Sequence, residues 1–234
     1  MHKVSKTFGV LRKSHKVCLS VVLPFLLAVS VRAQANLSPA KQSSGLVDMI
    51  VLGDSQSEES HNFSPGLSEV VRGGLDQPAR RLLQPETESW EGGRIAFTLK
   101  VDPENANYAT IRLWGSDSSQ NRLILFCEGK QVGCIHLGDI DLLDFGNDND
   151  EPPFIGRFYY NTSPLPLAMT RGKTELQFEI RSIGPIWGYG GRFSQFQKPM
   201  KEPTRGIYRL YTHKDAFFIP PADEKQGQAP VNPP

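Results

Sequence analysis

Sustained helical periodicity is missing from this sequence. Nowhere do apolar residues recur at three- and four-residue spacing over the length of an ordinary helix, which argues against helical bundles and α/β architectures. No apolar run reaches the roughly twenty residues of a membrane-spanning helix; the uncharged stretch 17–31 is short of that and is interrupted by Pro24. Cysteine and histidine are scarce, three and five in 234 residues, so a disulfide-dense scaffold is excluded and no histidine pair has a zinc-like spacing. No glycine-rich loop opens a helix to cradle phosphate, since Gly188, Gly190 and Gly191 lead into none. There is no internal repeat.

What the chain has in excess is punctuation: eighteen prolines and twenty-one glycines, which suit short strands and turns. Its start has the layout of an export signal. Lys3, Lys6, Arg12, Lys13 and Lys16 precede the uncharged run, and Ala33-Gln34-Ala35 supplies small residues for cleavage before Asn36. Residues 1–35 are therefore expected to be a signal peptide and the mature protein to be secreted, periplasmic or extracellular, with no membrane attachment after cleavage. From residue 36 onward there are twenty basic and twenty-five acidic residues, a net of −5. A chain of that charge is poorly suited to a phosphate backbone, so nucleic acid is not an expected partner.

Residues 36–87 are polar and mixed, with one convincing strand at 48–52, and read as a partly ordered N-terminal arm. From Trp90 the pattern sharpens. Apolar residues occupy every second position in 94–101 and in 175–181, the mark of strands with one wet and one buried face. Further strands are expected at 108–114, 122–127, 132–137, 155–160 and 206–212. Such strands bury their apolar faces only against a second sheet, which predicts an all-β fold, an antiparallel β-sandwich or jelly roll spanning 88–219. Residues 220–234, proline-rich and poor in apolar residues, are expected to be a disordered tail. Of the cysteines, Cys18 belongs to the signal. Cys127 and Cys134 flank a hairpin expected to turn near Gly129-Lys130, and the reading leaves open a disulfide between them or two buried thiols.

Four candidate sites follow from residue chemistry. Gly53-Asp54-Ser55 at the end of a strand looks like the nucleophile block of GDS-type esterases, but the Asp-x-x-His that such chemistry needs occurs nowhere, so a strand followed by a turn is expected. Asp139, Asp141 and Asp144, followed by a run of Asn and Asp, gather oxygen ligands suited to Ca²⁺, although the spacing is not that of the twelve-residue calcium loop; a solvated acidic loop competes, and no other cofactor is expected. The aromatic residues Trp187 and Tyr189, in a glycine-rich segment, with Tyr159 and Trp114, are candidates for stacking on sugar rings, against a role as a plug at one end of the sandwich. Asn36, Asn62 and Asn161 head glycosylation sequons.

The stretches 79–83, 111–117, 128–133, 136–141, 156–160, 184–190 and 205–209 together resemble the N-terminal β-sandwich region of large exported proteins, mostly bacterial and of uncharacterised function. The fuller versions of those proteins resemble carbohydrate-active, six-hairpin glycosidase-like enzymes, with an α-helical barrel-like domain after the sandwich. The likeness covers roughly residues 48–221, and this sequence stops where the larger domain begins, so no catalytic residue is carried over. The resemblance implies an exported, non-catalytic β-sandwich module of accessory type, binding glycan or packing against a second domain or partner chain. A stand-alone glycosidase or esterase, and a truncated remnant of a larger enzyme, are the alternatives.

Overall fold

A computed structural model describes residues 45–135, 155–185, 195 and 197–228, all within the compact unit Pro39–Pro234. The two most regular alternations in the sequence become neighbours. Strand β4 (Glu91–Lys100) and strand β9 (Glu175–Ile183) pair antiparallel with Ile95 opposite Ile180, Phe97 opposite Phe178 and Leu99 opposite Leu176. Because side chains alternate across a strand, this register sends all six to one face. Each is almost fully buried, and the Phe97 and Phe178 rings stack at 6.2 Å. Strands β6 (Arg122–Cys127) and β7 (Lys130–Ile135) extend the sheet in the order β4-β9-β6-β7.

The second sheet is built from β1 (Leu46–Val51), β2 (Ser68–Arg72), β3 (Pro78–Leu82), β5 (Asn107–Trp114), β8 (Phe158–Leu165) and β10 (Ile207–His213). Its order is β2-β3-β10-β5-β8, and β1 also pairs with β10. Two short α-helices, α1 (Ser55–Ser60) and α2 (Leu167–Thr170), and a 3-10 turn at Gly74–Asp76 complete the elements among the described residues. Ile50, Leu82, Ala109, Ile111, Leu113, Leu165, Ile207 and Leu210 from this sheet pack into one core with Ile95, Phe97, Leu125, Phe178 and their neighbours from the other. The fold is an antiparallel β-sandwich, as the two-residue periodicity predicts. Burying each Leu, Ile or Phe here contributes on the order of 2 kcal/mol.

Three expectations need correction. Within the expected arm 36–87, residues 46–82 supply β1, β2 and β3, all members of a sheet. Strands β2 and β3 lie toward its edge and are only partly buried, so they lack the alternation that betrays a strand. The expected tail is packed over residues 220–228: Gly227 bridges to Arg157, Phe158 donates its amide to the Gln226 carbonyl, and Glu224 is 8% exposed. The hairpin turns at Glu128-Gly129, one residue earlier than expected, because both have positive φ (50° and 72°), the requirement of the tight turn that matches strand twist.

That packed segment roofs the outer face of the second sheet. Thr110 and Arg112 on β5 point away from the sandwich core yet are fully buried, beneath Phe218 and residues 224–226. Arg112 Nε lies 2.5 Å from the Glu224 carboxylate, Nη1 donates to Gln77 Oε1 (2.6 Å) and Nη2 to the Lys225 carbonyl (2.5 Å). Tyr211 and Tyr160 hydroxyls donate to the same Glu224 oxygen, at 2.6 and 3.3 Å.

Candidate functional site

One end of the second sheet opens into a cleft of about 400 Å³. Three pieces of chain form it. The ends of β2 and β3 contribute Arg72, Gly73 and Arg81; the loop after β5 contributes Ser116, Asp117 and Ser118; the segment entering β10 contributes Thr204, Arg205, Gly206 and Tyr208. The walls are tied by backbone. Leu82 donates its amide to Thr204 Oγ1 (3.0 Å), Thr204 returns its amide to the Leu82 carbonyl (2.9 Å), and Ser119 Oγ donates to the Pro203 carbonyl (3.1 Å).

Asp117 is the one carboxylate among the described residues that line the cleft. It accepts from the Gly206 amide (3.0 Å) and the Tyr208 hydroxyl (3.4 Å). Burial raises its pKa above the ordinary carboxylate value, opposed by those two hydrogen bonds and by the charges of Arg205 and Arg81. Tyr208 in turn accepts from the Gly74 amide (2.7 Å), and burial pushes its phenol well above the usual range. Glycine at 73 leaves room for this hydroxyl, since a Cβ there would sit 2.0 Å from it.

The guanidinium groups differ in how far they are satisfied. Arg72 donates to the Asp76 carbonyl (3.0 Å), and Arg81 Nη2 to Glu69 (2.5 Å). Arg205, 4% exposed, donates through Nη1 to the Tyr159 hydroxyl. Arg205 Nη2 and Arg81 Nε are buried and have no hydrogen-bond acceptor among the described residues. Buried donors without acceptors are uncommon and costly, and guanidinium forks match oxygen-rich ligands.

The residues singled out from sequence fall elsewhere. Trp187 and Tyr189, and the acidic Asp139, Asp141 and Asp144, lie outside the described residues. Tyr159 packs against the sandwich core, its hydroxyl facing Arg205. Trp114 packs edge-on against Phe158 at 4.6 Å and lies so close to Gly74 that a Cβ there would come within 2.2 Å of its ring, so it is a packing residue beside the cleft. Cys127 is a free, buried thiol with its pKa raised to about 12 by burial. The register pairs Cys134 with Ile124 and Cys127 with Lys130, so the backbone does not bring the two cysteines opposite each other. In Gly53-Asp54-Ser55, Asp54 caps α1 by accepting from the Ser57 amide (2.8 Å) and Ser55 starts that helix; His61 Nδ1 lies 2.6 Å from the Ser57 carbonyl and so is not offered to Ser55.

Sequence reasoning overlooked the cleft residues Arg72, Arg81, Asp117 and Arg205. A signal was nevertheless present. Three of the stretches that carry the family resemblance, 79–83, 111–117 and 205–209, converge on this cleft.

No protein-family model matches the chain, and no curated protein matches it. Among solved structures it is similar to the carbohydrate-binding module CBM6cm-2 from Cellvibrio mixtus lichenase 5A in complex with cellotriose (TM-score 0.38, 10% identity, covering 73% of this chain and 98% of that one). It is also similar to TmCBM27, a carbohydrate-binding module studied for mannan recognition (TM-score 0.39, 11% identity, 73% and 98%). A family 35 carbohydrate-binding module from Clostridium thermocellum matches at TM-score 0.33 and 9% identity, over 70% of this chain and 96% of that one. Likenesses this distant assign no ligand to the present chain.

Proposed function

We propose that this chain is an exported, non-catalytic β-sandwich binding module that seats part of a glycan in the cleft between β3, the loop after β5 and the start of β10. The observation that carries the reading is the lining of that cleft. A volume of about 400 Å³ lies within the range of small-ligand sites. Its walls offer guanidinium donors, the hydroxyls of Ser116 and Ser118 and a single carboxylate, a hydrogen-bonding surface suited to a polyhydroxylated ligand. Glycoside hydrolysis needs two carboxylates facing each other across the scissile bond. Among the described lining residues Asp117 has no such partner, and it is held by Gly206 and Tyr208, an arrangement that favours holding a sugar.

Retention on immobilised polysaccharides tests the reading. Ser118 is exposed on the cleft rim, so Ser118→Trp should fill the cleft without disturbing the core. The wild-type chain should be retarded on at least one polysaccharide, and Ser118→Trp should abolish retardation with an unchanged melting temperature. Equal retardation of both proteins would place binding elsewhere, and retardation on none would remove the glycan reading.

A further inference from the structure

The charge of the cleft is opposite to that of the chain around it. Residues 36–234 sum to −5, yet among the described residues three arginines and one aspartate line the cleft. Among the described acids Asp117 lies near enough for the charges of Arg205 and Arg81 to act on it, so it offsets one of the three positive charges. Glu69 pairs with Arg81 at 2.5 Å, but both side chains are 40% exposed, where an ion pair is weakly held. Arg72 and Arg205 are bonded to a neutral carbonyl and a neutral phenol, which satisfy donors and leave the charge. The two buried nitrogens without acceptors, Arg81 Nε and Arg205 Nη2, both belong to lining residues. A small oxyanion entering the cleft would meet the charge of these guanidinium groups, and charge-assisted bonds of this kind are about twice as strong as neutral ones.

We propose that the cleft selects a sugar bearing an anionic group, the carboxylate of a uronic acid or a sulfate ester, seated between Arg81 and Arg205 with Ser116 and Ser118 facing the sugar hydroxyls. This rests on the glycan-binding reading above. The shared chemistry is an oxyanion on a sugar ring.

Calorimetric titration of the purified full chain with four probes tests it: oligogalacturonate, a sulfated galacto-oligosaccharide, the neutral galacto-oligosaccharide and inorganic sulfate. One of the two anionic sugars should bind at least roughly tenfold more tightly than the neutral one, with affinity falling as salt rises. Which of them binds more tightly identifies the oxyanion. Arg81→Gln, at a half-exposed position, should lower anionic-sugar affinity roughly tenfold, a larger loss than it causes for the neutral sugar, with an unchanged melting temperature; equal losses for both sugars would overturn the selection. Neutral sugar bound as tightly as the anionic sugars would overturn the selection and leave the glycan reading standing. Inorganic sulfate bound as tightly as the sugars would overturn it in favour of a simple anion site. No binding by any sugar would remove the glycan reading and this inference together.

Discussion

Glu224 shows how much one side chain can do when the backbone brings it into a dry place. It sits in a stretch dominated by proline and charge, yet its carboxylate is 1% exposed and faces a guanidinium that is fully buried. Removing one member of such a pair leaves the other charge stranded, a loss of about 3–5 kcal/mol, far above that of a surface ion pair. Glu224→Ala should therefore lower the free energy of unfolding by about 3 kcal/mol or more, read from the urea midpoint, while Arg112→Met with Glu224→Met should recover a good part of it. A shift below about 1 kcal/mol for the single variant would mean that the terminal segment does not hold the roof. Neither partner was legible beforehand. Arg112 shares a strand parity with Tyr108 and Trp114, which reads as a wet face, and nothing local to Glu224 names a partner more than a hundred residues away.

At the scale of elements, legibility follows how one-sided each strand is. β4 and β9 bury one face and wet the other, so their alternation is clean and their pairing could be anticipated. β2 and β3 are partly buried on an edge, and β5 is buried on both faces, so hydrophobic period says little about any of them. Turns are legible only when the residue type settles φ. Gly129 (φ 72°) and Gly66 (φ 46°) are both left-handed, and replacing each by alanine separates conformational strain from steric collision. A Cβ on Gly129 meets nothing within 4 Å, so Gly129→Ala should cost only the left-handed penalty, about 1–2 kcal/mol. A Cβ on Gly66 would lie 2.0 Å from the Arg94 carbonyl oxygen, a backbone atom that cannot yield without moving β4. Gly66→Ala should cost at least twice as much in the same denaturation experiment; equal costs would refute the collision.

For the whole molecule, the roofed outer face links stability to pH through His213. The residue is 2% exposed, its ring stacked on Tyr108 at 5.8 Å, tilted against Phe218 at 4.8 Å and held by Thr110 Oγ1 at 2.6 Å. Burial lowers its pKa, against a smaller opposing pull from Asp215. The unfolded chain takes up this proton near pH 6.5, whereas the folded chain refuses it until lower pH. The unfolded state thus binds more protons in that window, and stability falls as pH drops below about 6.5, with a slope of at most about 1.4 kcal/mol per unit from this one group. Asp117 acts in the opposite sense. Its raised pKa means that the folded state protonates before the unfolded one, so its contribution is recovered on acidification and lost again as pH rises through the folded value. The two contributions have opposite signs, which lets one substitution isolate each. Urea midpoints from pH 8 to 5 should decline for the wild type below about 6.5, and His213→Gln, which keeps a polar partner for Thr110, should flatten that decline; Asp117→Asn should leave it intact. A His213→Gln profile parallel to wild type would show that the ring is neutral in the folded state for no energetic reason of burial, and the roof over β5 and β10 would then have to be far wetter than its packing indicates.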